Sequence, residues 1–168
     1  MRLLAALGAS LAIVAACGGP AAAPSPTPSP SPTPSPTPSN VFKAELKTSN
    51  EVPPITDAEA SCSGNATVMF SGTSVKFDVT FAGCPASAQI NIGHIHEGAA
   101  GANGAVKIDS SLKAGELTLT NGAGTLSRTV TADAALIQTI MGNPAGYYVN
   151  FHTTAHPGGV MRGQLTKG

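Results

Sequence analysis

The chain has 168 residues, with nine Lys and Arg against nine Asp and Glu, 11% charged residues, 4% aromatics and no Trp. Balanced charge without a basic block excludes nucleic acid as the expected partner. Beyond the start of the chain, no apolar run approaches the ~20 residues that a spanning helix needs.

The first 16 residues read as an export signal: Arg2 supplies a positive start and Leu3 to Ile13 an apolar stretch. Val14-Ala15-Ala16-Cys17 resembles the bacterial lipobox, in which small residues admit the signal peptidase and Cys17 becomes the lipid-bearing first residue. The resemblance implies a protein lipid-anchored on an extracytoplasmic membrane face of a bacterial cell envelope. Residues 17–40 then form a stalk. From Pro24 to Ser39, Pro alternates with Ser or Thr, which locks φ and favours polyproline II. At ~3.1 Å per residue that stretch reaches about 50 Å.

Residues 41–168 are long enough for one domain with its own core. Period-2 alternation recurs there in short runs bounded by Gly, Asn and Ser. Phe42, Ala44 and Leu46 share one strand face. Val68 and Phe70 lead through Ser71-Gly72-Thr73 to Val75, Phe77, Val79 and Phe81. Ala88, Ile90 and Ile92 repeat the pattern, as do Val106 with Ile108 and Leu117 with Leu119. Asn121-Gly122 sits in a predicted hairpin connection. Asp133 caps a predicted helix over Ala134–Met141, with Leu136, Ile137 and Ile140 on its buried side, Gly142 as a left-handed stop and Pro144 beyond it. Tyr147, Val149 and Phe151 form a further strand, and residues 160–166 close the domain. Many short strands with one brief helix predict an all-β, Greek-key β-sandwich. Cys62 and Cys84 flank the predicted hairpin and, in an exported domain, are expected to form a disulfide.

All four histidines fall in two short motifs. In Gly93-His94-Ile95-His96-Glu97-Gly98, strand geometry puts His94 and His96 on one face, continuing the Ile90–Ile92 stripe. In His152-Thr153-Thr154-Ala155-His156-Pro157-Gly158-Gly159, His152 ends a strand and His156 lies in the loop after it. If the fold brings the motifs together, three or four neutral imidazoles offer a copper or zinc ion its ligands. The competing reading makes each His a donor to a loop carbonyl. Glu97 and Asp109 are candidates for orienting an imidazole, or else solvated charges. Met161 is a candidate thioether ligand or a core residue, and Arg162 either pairs with a carboxylate near the histidines or forks over the surface.

Asn50-Glu51-Val52-Pro53-Pro54, Gly93-His94-Ile95-His96-Glu97-Gly98, Tyr148-Val149-Asn150-Phe151-His152-Thr153, His156-Pro157-Gly158-Gly159 and Arg162-Gly163-Gln164-Leu165 together resemble the CHRD domain family. The resemblance runs from about Phe42 to Thr166 and implies a β-rich extracellular module. His94-Ile95-His96-Glu97 before a Gly-rich loop is also similar to the copper strand of copper/zinc superoxide dismutase. That likeness implies His94, His96 and His152 as copper ligands. Four histidines fall short of a dinuclear site and leave a copper-only centre. No nucleophile elbow, phosphate loop or dinucleotide fingerprint is present. The leading expectation is thus a surface-tethered binding module holding copper or zinc through His94, His96, His152 and His156. A dismutase-like copper enzyme is the second. The third is a metal-free adhesion domain that meets an envelope protein through the loop Gly98–Gly104.

Overall fold

The computed structural model describes residues 40–168; the signal segment, Cys17 and the Pro-rich stretch lie outside the described residues. The strands are β1 (Val41–Lys47), β2 (Ser63–Ser71), β3 (Ser74–Ala82), β4 (Ile90–Glu97), β5 (Val106–Asp109), β6 (Gly124–Thr131), β7 (Tyr147–Thr153), β8 (Met161–Gln164) and β9 (Thr166–Lys167), with one helix, α1 (Ala134–Gly142). No helix among the described residues is long and apolar enough to cross a membrane.

The domain is all-β with one short helix, as the periodicity predicts. Its strands join in a single sheet of order β5-β4-β7-β8-β1-β2-β3-β6, with β9 paired to β1. The connections after β3, β5 and α1 each skip to a distant strand. The sheet folds over on itself: Phe81 of β3 packs edge-on against Phe151 of β7 with ring centroids 4.9 Å apart, although three strands separate them in the sheet. The two layers of a sandwich are therefore the two halves of one nearly closed sheet. Its free edges, β5 and β6, face each other across an open groove of about 750 Å³ lined by Ile108, Asp109 and Arg128 to Thr131.

The β1–β2–β3 half follows the sequence closely. Phe42, Ala44, Leu46, Val68, Phe70, Val75, Phe77, Val79 and Phe81 are all buried, and their sequence neighbours face away. This alternation fixes register, because a one-residue slip would turn every apolar side chain to solvent. Ser71–Ser74 closes the β2–β3 hairpin. Cys62 and Cys84, just outside its ends, are disulfide-bonded. Asn121 (φ 52°) and Gly122 (φ 76°) make a two-residue turn of type I′, held by reciprocal bonds between Thr120 and Ala123. Asp133 caps α1 by accepting from the Ala135 and Leu136 N–H groups, and Ile137 and Ile140 are buried.

Three expectations fail locally. Leu117 and Leu119 lie in no strand; residues 117–119 are irregular between two turns, and both leucines pack on the core half-buried. Gly142 is the last residue of α1 rather than a left-handed stop, and the helix ends at Asn143 ahead of Pro144. Val106 and Ile108 do not share a face. Between them β5 carries a bulge, since Ile95 opposes Ile108 but His96 opposes Val106; Ile108 is buried and Val106 is 48% exposed.

Candidate metal centre

The same device resets β4. Ile90 opposes Thr153 and Ile92 opposes His152, so β4 spends one extra residue at Asn91. Ile90 is buried in the core, whereas Ile92 is 37% exposed and faces away from it. The expectation that His94 and His96 extend the Ile90–Ile92 core stripe is corrected accordingly. They lie on the opposite face with Ile92, while Ile95 points into the core. Simple alternation could not reveal this, because one inserted residue inverts the phase of everything after it.

That face carries the chemistry. His94 opposes Asn150, His96 opposes Tyr148 and Ile92 opposes His152 across β4 and β7; Asn150 in turn opposes Arg162 on β8. His94, His96 and His152 converge, each offering one ring nitrogen, with these atoms within 4.8 Å of one another. His94 Nδ1 is 3.2 Å from His152 Nε2. Gly93 allows the approach: a Cβ there would run into the Phe151 ring on the core side.

Two loop carbonyls orient two of the rings. His96 Nδ1–H donates to the Gly104 carbonyl at 2.9 Å, and His152 Nδ1–H donates to the Pro157 carbonyl at 2.9 Å. A carbonyl only accepts, so each bond fixes the proton on Nδ1 and leaves Nε2 as a lone pair. The two sequence readings are therefore compatible: in His96 and His152 one nitrogen ties a loop and the other turns a lone pair to the cluster. His96 Nε2 is buried with no hydrogen-bond partner. Gly104 must be glycine, because a Cβ there would strike the Glu97 carbonyl of β4.

Burial, which disfavours the charged imidazolium, lowers the pKa of His94 and His96 below the usual histidine value. Asp109 opposes that shift at His94, and the Gly104 carbonyl opposes it at His96. His152 falls to about 4, mainly by burial, with the charges of His94, His96 and Arg162 adding to it. All three rings are neutral at pH 7, the form that coordinates a metal.

Around the rings lies a polar layer that sequence reasoning only partly found. Tyr148 stacks on His96, with centroids 5.0 Å apart and planes 9° from parallel. Its hydroxyl accepts from the Gly104 N–H at 3.2 Å, and the Arg162 guanidinium lies 4.7 Å from its ring centroid. Arg162, 4% exposed, pairs with buried Glu51 (Nε–Oε2 2.8 Å) and donates to the Ala102 carbonyl and Asn103 Oδ1. Burial pushes the Glu51 carboxyl up, against the pull of Arg162. Asn150 donates to Glu51 as well. Of the open alternatives at Arg162, the carboxylate partner is realised. Glu51 sits outside any strand, so periodicity gave no sign of its burial.

The other candidates separate. His156 does not join the three rings: its Nε2 lies 3.0 Å from Asp57 Oδ2 and 3.7 Å from Glu59 Oε2, and Glu59 also accepts from the Thr153 hydroxyl. Its ring faces the Asp57–Glu59 turn instead. Met161 is fully buried in the core, on the face away from the histidines. Glu97 pairs with Lys107 at 2.7 Å. Asp109 stands opposite His94, with 4.0 Å between Oδ1 and Nε2.

The fold and site together define an all-β module with a three-histidine cluster under two loops. The sequence profile of the CHRD domain matches residues 42–165, and the chain belongs to that family, a binding-type module of extracellular proteins. No curated protein and no solved structure matches the chain.

Proposed function

We propose that this CHRD domain holds a single copper or zinc ion through His94, His96 and His152, and works as a metal-binding module at the bacterial envelope. The observation that carries the reading is the unpartnered Nε2 of His96, buried among the nitrogens of two neutral rings. An unsatisfied buried polar atom costs about 1–3 kcal/mol, and a coordinate bond would remove that cost. Three imidazoles suit copper or zinc better than the hard, oxygen-seeking cations. The Cys17 lipid and the Pro-rich stalk would place the domain outside the cytoplasm, with the membrane as its anchor and capture or hand-over of metal as its task. Binding is favoured over dismutase-type catalysis because the Arg162 charge is committed to Glu51 and cannot steer an anion to the cluster.

The test is titration of the purified chain with Cu²⁺ and with Zn²⁺, alongside elemental analysis. Stoichiometric uptake of either ion is expected. His96→Ala should weaken it at least tenfold, ~1.4 kcal/mol, and His156→Ala should leave it unchanged. No uptake would leave a metal-free interaction domain.

A further inference from the structure

We propose that Asp109 is the positioning residue that draws the His94 proton to Nε2 and so frees Nδ1 to face the cluster as a ligand, a role that rests on the metal-holding function above. The argument follows the protons. The Pro157 carbonyl fixes a proton on His152 Nδ1, so the Nε2 of that neutral ring carries a lone pair. His94 Nδ1 lies 3.2 Å from that lone pair and must be the donor. The neutral His94 ring then has a bare Nε2. Bare Nε2 faces the Asp109 carboxylate, and two acceptors do not bond; their 4.0 Å separation is beyond hydrogen-bond range.

His94 in this tautomer cannot offer Nδ1 as a ligand. To do so it must carry its proton on Nε2, and that N–H then points at Asp109. The residues oppose each other directly across β4 and β5, and Asp109 is held in place by the Ser111 N–H, which donates to its Oδ1 at 2.7 Å. His96 and His152 need no such change, since loop carbonyls already hold their protons away from the cluster. The cluster thus has two preset ligands and one that must exchange its tautomer, and Asp109 is the acceptor that stabilises the exchanged form. Carboxylates that receive the second N–H of a liganding imidazole typically contribute 10- to 100-fold in metal affinity.

The experiment records imidazole ¹⁵N spectra of the ¹⁵N-labelled full chain before and after addition of zinc chloride, with zinc affinity measured in parallel. The expected result is a His94 proton on Nδ1 without zinc and on Nε2 with it. Asp109→Ala should weaken zinc binding 10- to 100-fold. Asp109→Asn, which keeps an oxygen acceptor and the Ser111 contact, should recover part of that loss. Glu97→Ala removes an equal charge beside His96 and should change nothing, because Glu97 pairs with Lys107. Zinc uptake that Asp109→Ala leaves intact overturns the role of Asp109 and leaves the three-histidine site standing. A His94 proton already on Nε2 in the zinc-free spectrum overturns it too. Failure of the wild-type chain to take up zinc here and copper in the titration above, with its fold intact by the same spectra, overturns both.

Discussion

The two halves of the sheet bury their residues in different ways. In β1, β2 and β3 one face is apolar and packed, and the other meets solvent. In β7 every residue from Tyr147 to Thr153 is buried, and β8 is buried from Met161 to Gly163. The second face of that half is covered by the loops that carry Glu51, Ala102 to Gly104 and Pro157, which makes it a polar layer. Burying polar groups costs free energy unless each is partnered. A fold that does so on one half alone has concentrated its chemistry there, and the plain half serves as the frame.

The sharpest way to break this contrast is Arg162→Ala, which strands the Glu51 carboxylate in the polar layer. Removing one partner of a buried ion pair costs about 3–5 kcal/mol. Chemical denaturation should show that loss, and metal affinity should fall with it because the Ala102–Gly104 loop loses its anchor. The disulfide belongs to the framing half. Cys62→Ser with Cys84→Ser should cost roughly 3 kcal/mol on the chain-entropy account, with no effect on metal affinity in the folded protein. Equal affinity after one change and reduced affinity after the other would separate the halves; a loss in both would merge them.

Two smaller effects sharpen the contrast. Gly93→Ala drives a methyl into the Phe151 ring, and overpacking of this kind costs about 1–3 kcal/mol. Thermal unfolding should register it, and displacement of β4 should shift the His94 ring signals. The last prediction concerns acid. His152 titrates near 4 in the folded chain and near the ordinary histidine value of about 6.5 when unfolded. Below about pH 6.5 the unfolded chain binds the extra proton, so stability of the metal-free domain falls as pH drops toward 4 and this contribution levels off below it. Hydrogen exchange should locate the loosening in β4 and β7. Loosening that begins in β2 and β3 would contradict the assignment.

How much was legible in the sequence divides along the same line. Where one face is core and the other solvent, alternation is the physical rule, and Phe42 to Leu46 and Val75 to Phe81 could be read directly. The Asp133 cap and the Asn121-Gly122 turn were equally visible, because their backbone geometry demands those residue types. The histidine pair on β4 was visible as spacing, but its face was not, since the bulge at Asn91 has no residue signature. His156 shared its motif with His152 and yet pairs with Asp57, a partner nearly a hundred positions earlier in the chain. Glu51 and Tyr148 stood in the family motifs, but their roles at the site, like those of the Gly104 and Pro157 carbonyls, became visible only in three dimensions. Backbone carbonyls in particular carry no side-chain identity for a sequence to display.

The Gly168 N–H donates to the Val41 carbonyl at 2.9 Å, and β9 lies against β1. Entry and exit of the domain are therefore side by side. A short peptide could join them into a ring, and new ends opened at the Gly72 hairpin tip would leave β4, β7 and β8 intact. For the same reason the domain suits insertion, as a bead on a thread, into a surface loop of an unrelated host.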